Sequence, residues 1–333
     1  MIFDNIDFHN VEEMEKCDKG YILWRVPGNL RMHLSKEAAE RASRYNTGVE
    51  LRFKMKSDKV KVILRAEPIE EAQVAYIYHG TFQGGWMNSS KVILQEDTAI
   101  EIEKPAKLSE LQEIAGEHRL GFDPAVVRIV MPYGLNYYVG VEGEVEPPEK
   151  EETPRLTYLA YGSSITHGSL GLASPFSYVF RISQLLHCDY INMGYAGLAR
   201  LEEEMAEYLC ERKDWDFATL ELGINMLSDE FDIELFESRM KRFAEIMAAD
   251  GRPVFVTDIY GFNDKWQQKA DRYREIVKEY ASDKLIYVSG LDLLNNPAFV
   301  SADMIHPTAE GQLQIADRWA ETLRQRLFPI LSR

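Results

Sequence analysis

Cysteine is scarce in this chain: Cys17, Cys188 and Cys210 are the only three in 333 residues. They are widely separated and form no paired metal spacing, and so small and odd a set excludes a disulfide-stapled framework and suits a reducing compartment. A basic N-terminal region followed by a continuous apolar one is also missing, since the chain opens Met1-Ile2-Phe3-Asp4-Asn5; no signal peptide is expected. No apolar run reaches the roughly 20 residues that span a bilayer. A cytoplasmic protein without a membrane partner is the expectation. Positive charge is in deficit as well, with 38 Lys and Arg against 54 Asp and Glu and a net charge of −16. The excess is spread along the chain, 19 basic against 25 acidic residues in 1–150 and 19 against 29 in 151–333. Neither half suits a polyanion, so no nucleic-acid partner is expected. His9, His33, His79, His118 and His187 show no ligand spacing, and no metal is expected.

What is present is ample material for a core: 45% apolar and 11% aromatic residues, in a length that allows two domains. Up to about Val145 the pattern has a short period. Strands are expected at Tyr21–Val26, Val49–Lys56, Lys59–Arg65, Gln73–His79, Lys91–Gln95, Ala99–Glu103, Ala125–Met131 and Tyr137–Glu142. Turn residues such as Ser57-Asp58 and Gly84-Gly85 separate them, which predicts an antiparallel, jelly-roll-like β-sandwich over residues 1–145. One helical insert begins at a Ser35 cap. Residues 146–154, charged and proline-bearing, read as a linker. Beyond it, over 155–333, strand-like runs at Thr157–Tyr161, Tyr190–Met193, Ala218–Leu222, Val254–Ile259 and Leu285–Val288 alternate with helical segments. That alternation predicts a three-layer α/β/α domain around a mostly parallel, flavodoxin-like sheet.

The chemistry concentrates at strand ends. Tyr161-Gly162-Ser163-Ser164-Ile165-Thr166-His167-Gly168 follows an apolar strand and hands over to a helix, leaving a hydroxyl at the carboxyl edge of the sheet, where ligands of open α/β folds bind. A serine is a weak nucleophile until a base takes its proton, and the base works best when a third group orients it. Asp303-Met304-Ile305-His306, just ahead of the last helix, offers such a pair, and Pro307 keeps His306 out of helical geometry. Donors for a developing oxyanion are available in the Ser164 amide, the Gly197 amide of Gly194-Tyr195-Ala196-Gly197 and the Asn225 side chain of Leu222-Gly223-Ile224-Asn225. Gly194 competes with Gly197, and His167 competes with His306 as base but lacks a built-in carboxylate. As bland alternatives, Ser164, Asn225 and Asp303 could each cap a helix.

These residues carry a resemblance. The second domain resembles an SGNH hydrolase of the GDSL esterase superfamily: Gly162-Ser163-Ser164 stands for its Gly-Asp-Ser block, Gly197 for its oxyanion glycine, Gly223-Ile224-Asn225-Met226 for Gly-x-Asn-Asp, and Asp303 with His306 for Asp-x-x-His. The blocks run in the family's order. Ser163 and Met226 depart from the usual acids. The resemblance implies a Ser164–His306–Asp303 triad, an oxyanion hole of Ser164, Gly197 and Asn225, an acyl-enzyme and no cofactor. The N-terminal sandwich is similar to that of two-domain carbohydrate esterases, which implies small acyl groups, acetyl above all, on a small-molecule or oligosaccharide ester. His167 and the loop residue Trp86 are candidate substrate contacts. Two other functions stay open at this point: an acyltransferase using the same triad, and a non-catalytic carbohydrate-binding protein. So does homo-oligomer formation.

Overall fold

Alternation decides the first half of the chain. Along Lys59–Ala66, Val60, Val62 and Leu64 are buried while Lys59 and Lys61 face solvent, the two-residue period that lets one face of a strand cover a core. Thr98–Glu103 pairs with it antiparallel, setting Ile100 opposite Val62 and Ile102 opposite Val60. In this computed structural model the described residues are 1–68, 72–281 and 284–331. They divide into two units: Met1–Gly28, Ser43–Arg155 and His187–Asp189 make the first, and Asn29–Ala42, Leu156–Leu186 and Tyr190–Arg333 the second.

The first unit is a β-sandwich. One sheet runs in the order Thr98–Glu103, Lys59–Ala66, Asn136–Glu142, Gly20–Trp24, Glu13–Cys17. The other runs Ile2–Phe3, Ile6–His9, Glu50–Met55, Val126–Val130, Gln73–His79, Phe82–Gln83, with Ser90–Ile93 and Val145–Glu146 added to inner strands. Phe8, Leu51, Phe53, Ile77 and Ile129 of the second sheet share one apolar cluster with Val60, Val62, Leu64, Ile100 and Tyr138 of the first. Glu50 and Arg52 flank Leu51 and so point the other way. That face is buried too, and its charges are paired there. Arg128 and Arg52 bond the Glu50 carboxylate at 2.6 and 2.8 Å, and Arg52 grips Asp189 with two hydrogen bonds of 2.6 and 2.7 Å. Buried charges persist only when paired in this way.

Besides two-residue strands, the strands Ile6–His9 and Glu13–Cys17 and a helix at Leu108–His118 lie outside the expected set. Glu13–Cys17 has no buried residue, so it lacks the apolar alternation by which strands are found. The helix spaces Leu108, Leu111 and Ala115 along one face, a weak signal because only Ala115 is buried. Val145–Glu146 pairs with Met55 and Lys54, and Lys54 Nζ reaches Glu152 at 3.0 Å, so residues 145–152 are fastened to the first unit.

The second unit is built on β1 (Thr157–Gly162), β2 (Asp189–Gly194), β3 (Phe217–Glu221), β4 (Val254–Thr257) and β5 (Leu285–Val288) in the order 2-1-3-4-5. The pairings β1–β3, β3–β4 and β4–β5 are parallel. This is the flavodoxin-like arrangement, with its switch point beside β1. Between the strands lie α1 (Ser164–His167), α2 (Tyr178–Leu186), α3 (Glu203–Glu211), α4 (Ile233–Asp250) and α5 (Gln267–Tyr280), and α6 (Ala309–Arg326) follows β5, with a short helix at Phe328–Leu331 after it. α4 buries Phe236, Met240, Phe243 and Met247, a stripe at helical spacing that faces the core. Among the described residues no helix is long and apolar enough to cross a membrane.

α4 has a defined cap at each end. Asp232 accepts the Leu235 amide at 2.7 Å to start α4, and Gly251, at φ +88°, ends it. Asp232→Ala should therefore cost about 1 kcal/mol, measured as a lower urea midpoint with unchanged secondary structure by circular dichroism.

Candidate active site

β1 delivers the nucleophile candidate. After Gly162 the chain enters the single turn of α1, capped by the Ser163 hydroxyl, which accepts the Ile165 amide at 3.1 Å. The turn is packed so closely that a Cβ at Gly162 would lie 2.2 Å from Thr166 Oγ1 and 2.6 Å from Glu221 Oε2. Gly194, at the end of β2, is constrained in the same way: its Cβ would fall 2.3 Å from the His167 amide nitrogen. Glycine at both positions lets the ends of β1 and β2 come together.

Three side chains meet there. His306 Nε2 lies 2.7 Å from Ser164 Oγ, and His306 Nδ1 lies 2.6 Å from Asp303 Oδ2. The carboxylate accepts a hydrogen bond from Nδ1–H, which leaves Nε2 to accept from the serine hydroxyl. Asp303 is itself held: Oδ1 accepts the amides of Ile305 and His306, both at 2.9 Å, and the Ser301 hydroxyl at 2.6 Å. Partial burial alone would raise the Asp303 pKa, but these donors outweigh it and keep the carboxyl well below its ordinary value. A bridge between Val300 and Pro307, with Ser301 donating its amide to the His306 carbonyl at 2.7 Å, closes the loop that presents the pair. Thr308, not Asp303, caps α6, accepting the Gly311 amide at 3.2 Å.

The donors fall on the same cleft. Gly197 adopts φ +75° with open space where a side chain would stand, and its amide has no protein acceptor among the described residues. The Gly194 amide is already taken by Asn192 Oδ1 at 2.8 Å, which separates the two glycines. Asn225 Oδ1 accepts the Ala199 amide at 3.0 Å, so its NH2 group is turned away from that bond. Ser164, Gly197, Asn225, Asp303 and His306 all line one cleft of about 500 Å³. Its remaining walls are mainly apolar: Leu170, Ile224, Leu227, Phe262, Trp266 and Ile305.

Two expected contacts are not brought to this cleft. His167 is 3% exposed, with Nδ1 3.4 Å from the Gly194 carbonyl. It packs beneath β2 and is absent from the lining, because α1 is one turn long and its last side chain points into the core. Trp86 stands in a loop of the first unit, 95% exposed, whereas the lining comes from the second unit alone. Among the described residues no group of three or more His, Cys, Asp or Glu is placed to hold a metal ion.

One residue the sequence reading passed over lies beneath the nucleophile. Glu221, the last residue of β3, is 1% exposed, and its Oε2 accepts the Ser163 amide at 2.7 Å and the Thr166 hydroxyl at 3.1 Å. Burial pushes its pKa up to about 7, the hydrogen bonds from Ser163 and Thr166 opposing part of the rise. A charged residue inside the apolar run Phe217–Leu222 was the available signal.

Residues 160–313 match the profile of the GDSL-like Lipase/Acylhydrolase family. The whole chain is similar in fold to a salicylyl-acyltransferase from a tetracycline biosynthetic pathway, with a TM-score of 0.74, 15% identity and coverage of 95% of this chain and 93% of that one. It is also similar to an acetyl xylan esterase from Butyrivibrio proteoclasticus (TM-score 0.55, 11% identity, coverage 98% and 96%). A third similarity is to a family two carbohydrate esterase from Clostridium thermocellum in complex with cellohexaose (TM-score 0.54, 13% identity, coverage 84% and 92%). At these identities the likeness is one of fold. No match was found among curated protein sequences.

The raised Glu221 pKa has a consequence for stability. In the folded state the group holds its proton to about pH 7, against an ordinary glutamate value of 4.5, so folding binds a proton between those values. Its contribution is therefore fully present below pH 4.5 and is lost as pH rises through 7, by about 3 kcal/mol. Glu221→Gln, which cannot ionise, should lose less stability than the parent between pH 5 and 8 in urea titrations at each pH.

Proposed function

We propose that residues 160–313, which match the GDSL-like Lipase/Acylhydrolase family model, form an ester hydrolase of SGNH type with Ser164, His306 and Asp303 as its catalytic triad. The observation that carries the reading is the unbroken chain of hydrogen bonds Ser164–His306–Asp303 at 2.7 and 2.6 Å. Ser164 Oγ attacks the ester carbonyl while His306 Nε2 takes its proton. The negative charge moves to the carbonyl oxygen, where the amides of Ser164 and Gly197 and the NH2 of Asn225 receive it. His306 then returns the proton to the departing alcohol oxygen, leaving an acyl-enzyme on Ser164. Water, deprotonated by the same Nε2, attacks the acyl carbonyl; free acid leaves and the serine recovers its proton. Asp303 stays ionised throughout and holds the imidazole ring, as its depressed pKa supports.

For the substrate we propose small acyl esters, acetyl above all, on a carbohydrate. The fold likeness to the acetyl xylan esterase and to the carbohydrate esterase with cellohexaose supports that reading, as does a cleft in which, among the described residues, the ionisable lining groups are Asp303 and His306. In the same proposal residues 1–145 form the sandwich module, 146–154 the connection and 155–333 the catalytic module, with Trp86 available for stacking on a sugar face. A second reading, transfer of the acyl group to an alcohol other than water, is favoured by the apolar walls Leu170, Phe262 and Trp266, which disfavour water beside the acyl-enzyme, and by the fold likeness to the salicylyl-acyltransferase.

Ser164→Ala and His306→Ala should each lower kcat on p-nitrophenyl acetate by on the order of 10⁴-fold, and Ser164→Ala should abolish labelling by a fluorophosphonate. Asn225→Ala should lower kcat by about 10²-fold with KM little changed. Wild-type turnover in either triad variant would end the proposal. Adding acetylated oligosaccharides and hydroxyl acceptors to the same assay separates the two readings, because transfer gives a new ester alongside free acid.

A further inference from the structure

The amides around Ser164 are unequally supplied. The Ser163 amide donates to Glu221 Oε2 at 2.7 Å, and the Ile165 amide donates to Ser163 Oγ at 3.1 Å. Between them the Ser164 amide has no protein acceptor among the described residues. The peptide planes before and after the Ser164 amide are thus pinned by side chains, while the amide between them, one of the proposed oxyanion donors, is left unpaired among the described residues.

Glu221 is the anchor of this arrangement. It closes β3, and its neighbour Leu220 sits in register with Tyr161 of β1, so its side chain passes beneath Gly162 at the point where only glycine fits. The Thr166 hydroxyl has one proton, and it goes to Glu221 Oε2 at 3.1 Å; the Tyr178 hydroxyl must then be the donor in its 2.7 Å bond to Thr166 Oγ1. One carboxyl oxygen therefore ties both ends of the α1 turn to β3, with Tyr178 of α2 bracing Thr166 from the far side. The other oxygen, Oε1, is buried without a hydrogen-bond partner among the described residues. Desolvating a carboxyl group only to restrain a backbone is an expensive local choice, and it falls where Ser163 stands in place of the acid at the centre of the usual Gly-Asp-Ser block.

We propose that Glu221 is a positioning residue for catalysis: by fixing the Ser163 peptide from β3 it holds the Ser164 amide, and with it Ser164 Oγ, in the geometry that the tetrahedral intermediate needs. The inference rests on the Ser164–His306–Asp303 reading. What matters in it is the place of the acceptor oxygen, so the effect of a substitution follows how far that oxygen moves. Glu221→Asp keeps the acid but withdraws the oxygen by one methylene from the Ser163 amide. Glu221→Gln keeps a carbonyl oxygen at the original reach and sets its NH2 where the unpartnered Oε1 lies.

The test is steady-state kinetics of wild type, Glu221→Asp and Glu221→Gln on p-nitrophenyl acetate, with inhibition by a phenylboronic acid, whose tetrahedral serine adduct uses the oxyanion donors. Glu221→Asp should lower kcat by about 10- to 100-fold, keep KM within about 3-fold, and weaken boronate inhibition by the same factor as kcat. Glu221→Gln should recover most of that loss. A merely structural role would lower the melting temperature without moving kcat and boronate affinity together. Wild-type kcat in Glu221→Asp, or a Glu221→Gln as impaired as Glu221→Asp, would overturn the proposal while leaving the triad standing, provided wild type turns over the ester and takes the fluorophosphonate label on Ser164. Failure of both in wild type would overturn the triad and this inference with it.

Discussion

The 2.7 Å bond between His306 Nε2 and Ser164 Oγ joins residues 142 positions apart, and the second unit is arranged so that this bond can form. Ser164 sits at the end of β1, an interior strand of the 2-1-3-4-5 sheet, where chain direction diverges to either side and a cleft opens. β2 brings Gly194–Gly197 to the same edge, β3 brings Glu221 and Asn225, and the loop ahead of α6 returns with Asp303 and His306. The strand ends can gather so closely because backbone, not side chain, lies at the contacts: neither Gly162 nor Gly194 has room for a Cβ.

Two carboxyl groups near the serine are treated in opposite ways. Asp303 is partly open to solvent and collects four donors, two amides, a hydroxyl and the imidazole, so its charge is secured. Glu221 is buried with fewer donors, and its pKa rises to about 7. In the proposed mechanism the first steadies the imidazolium that forms on His306, and the second serves as a fixed acceptor beneath the turn. Donors and acceptors fixed in advance need no rearrangement when charge develops, which is the condition for electrostatic stabilisation to lower a barrier.

The cleft itself gives a different kind of constraint. Leu170, Phe262 and Trp266 line it beside the reactive groups, so the part of the ester that lies against them exchanges water for apolar surface. Such walls strengthen every hydrogen bond made to the reacting carbonyl by lowering the local dielectric. In the proposed mechanism they also thin the water available to the acyl-enzyme, and for this reason hydrolysis and transfer to another alcohol differ there more in access than in chemistry.

Much of this was legible in the order of residues. The change from two-residue to helical periodicity near residue 150 separates a sandwich from a parallel α/β unit, because side-chain direction follows the backbone period. Gly162-Ser163-Ser164, Gly197, Gly223-Ile224-Asn225 and Asp303-x-x-His306 are local signatures, each needing only a few neighbouring residues to be recognised. The strand at Glu13–Cys17 was not legible, since it buries none of its residues and is held by pairing with Gly20–Trp24. Nor was the burial of His167, which depends on α1 ending after one turn against Gly194. The sequence by itself determined which elements form and which residue types stand at the strand ends. Only the tertiary structure decided which of them touch: that His306, not His167, meets Ser164, that Gly194 spends its amide on Asn192 while Gly197 keeps its own, and that Glu221 lies under the nucleophile. Those outcomes turn on distances across strands far apart in the chain, and periodicity does not encode them.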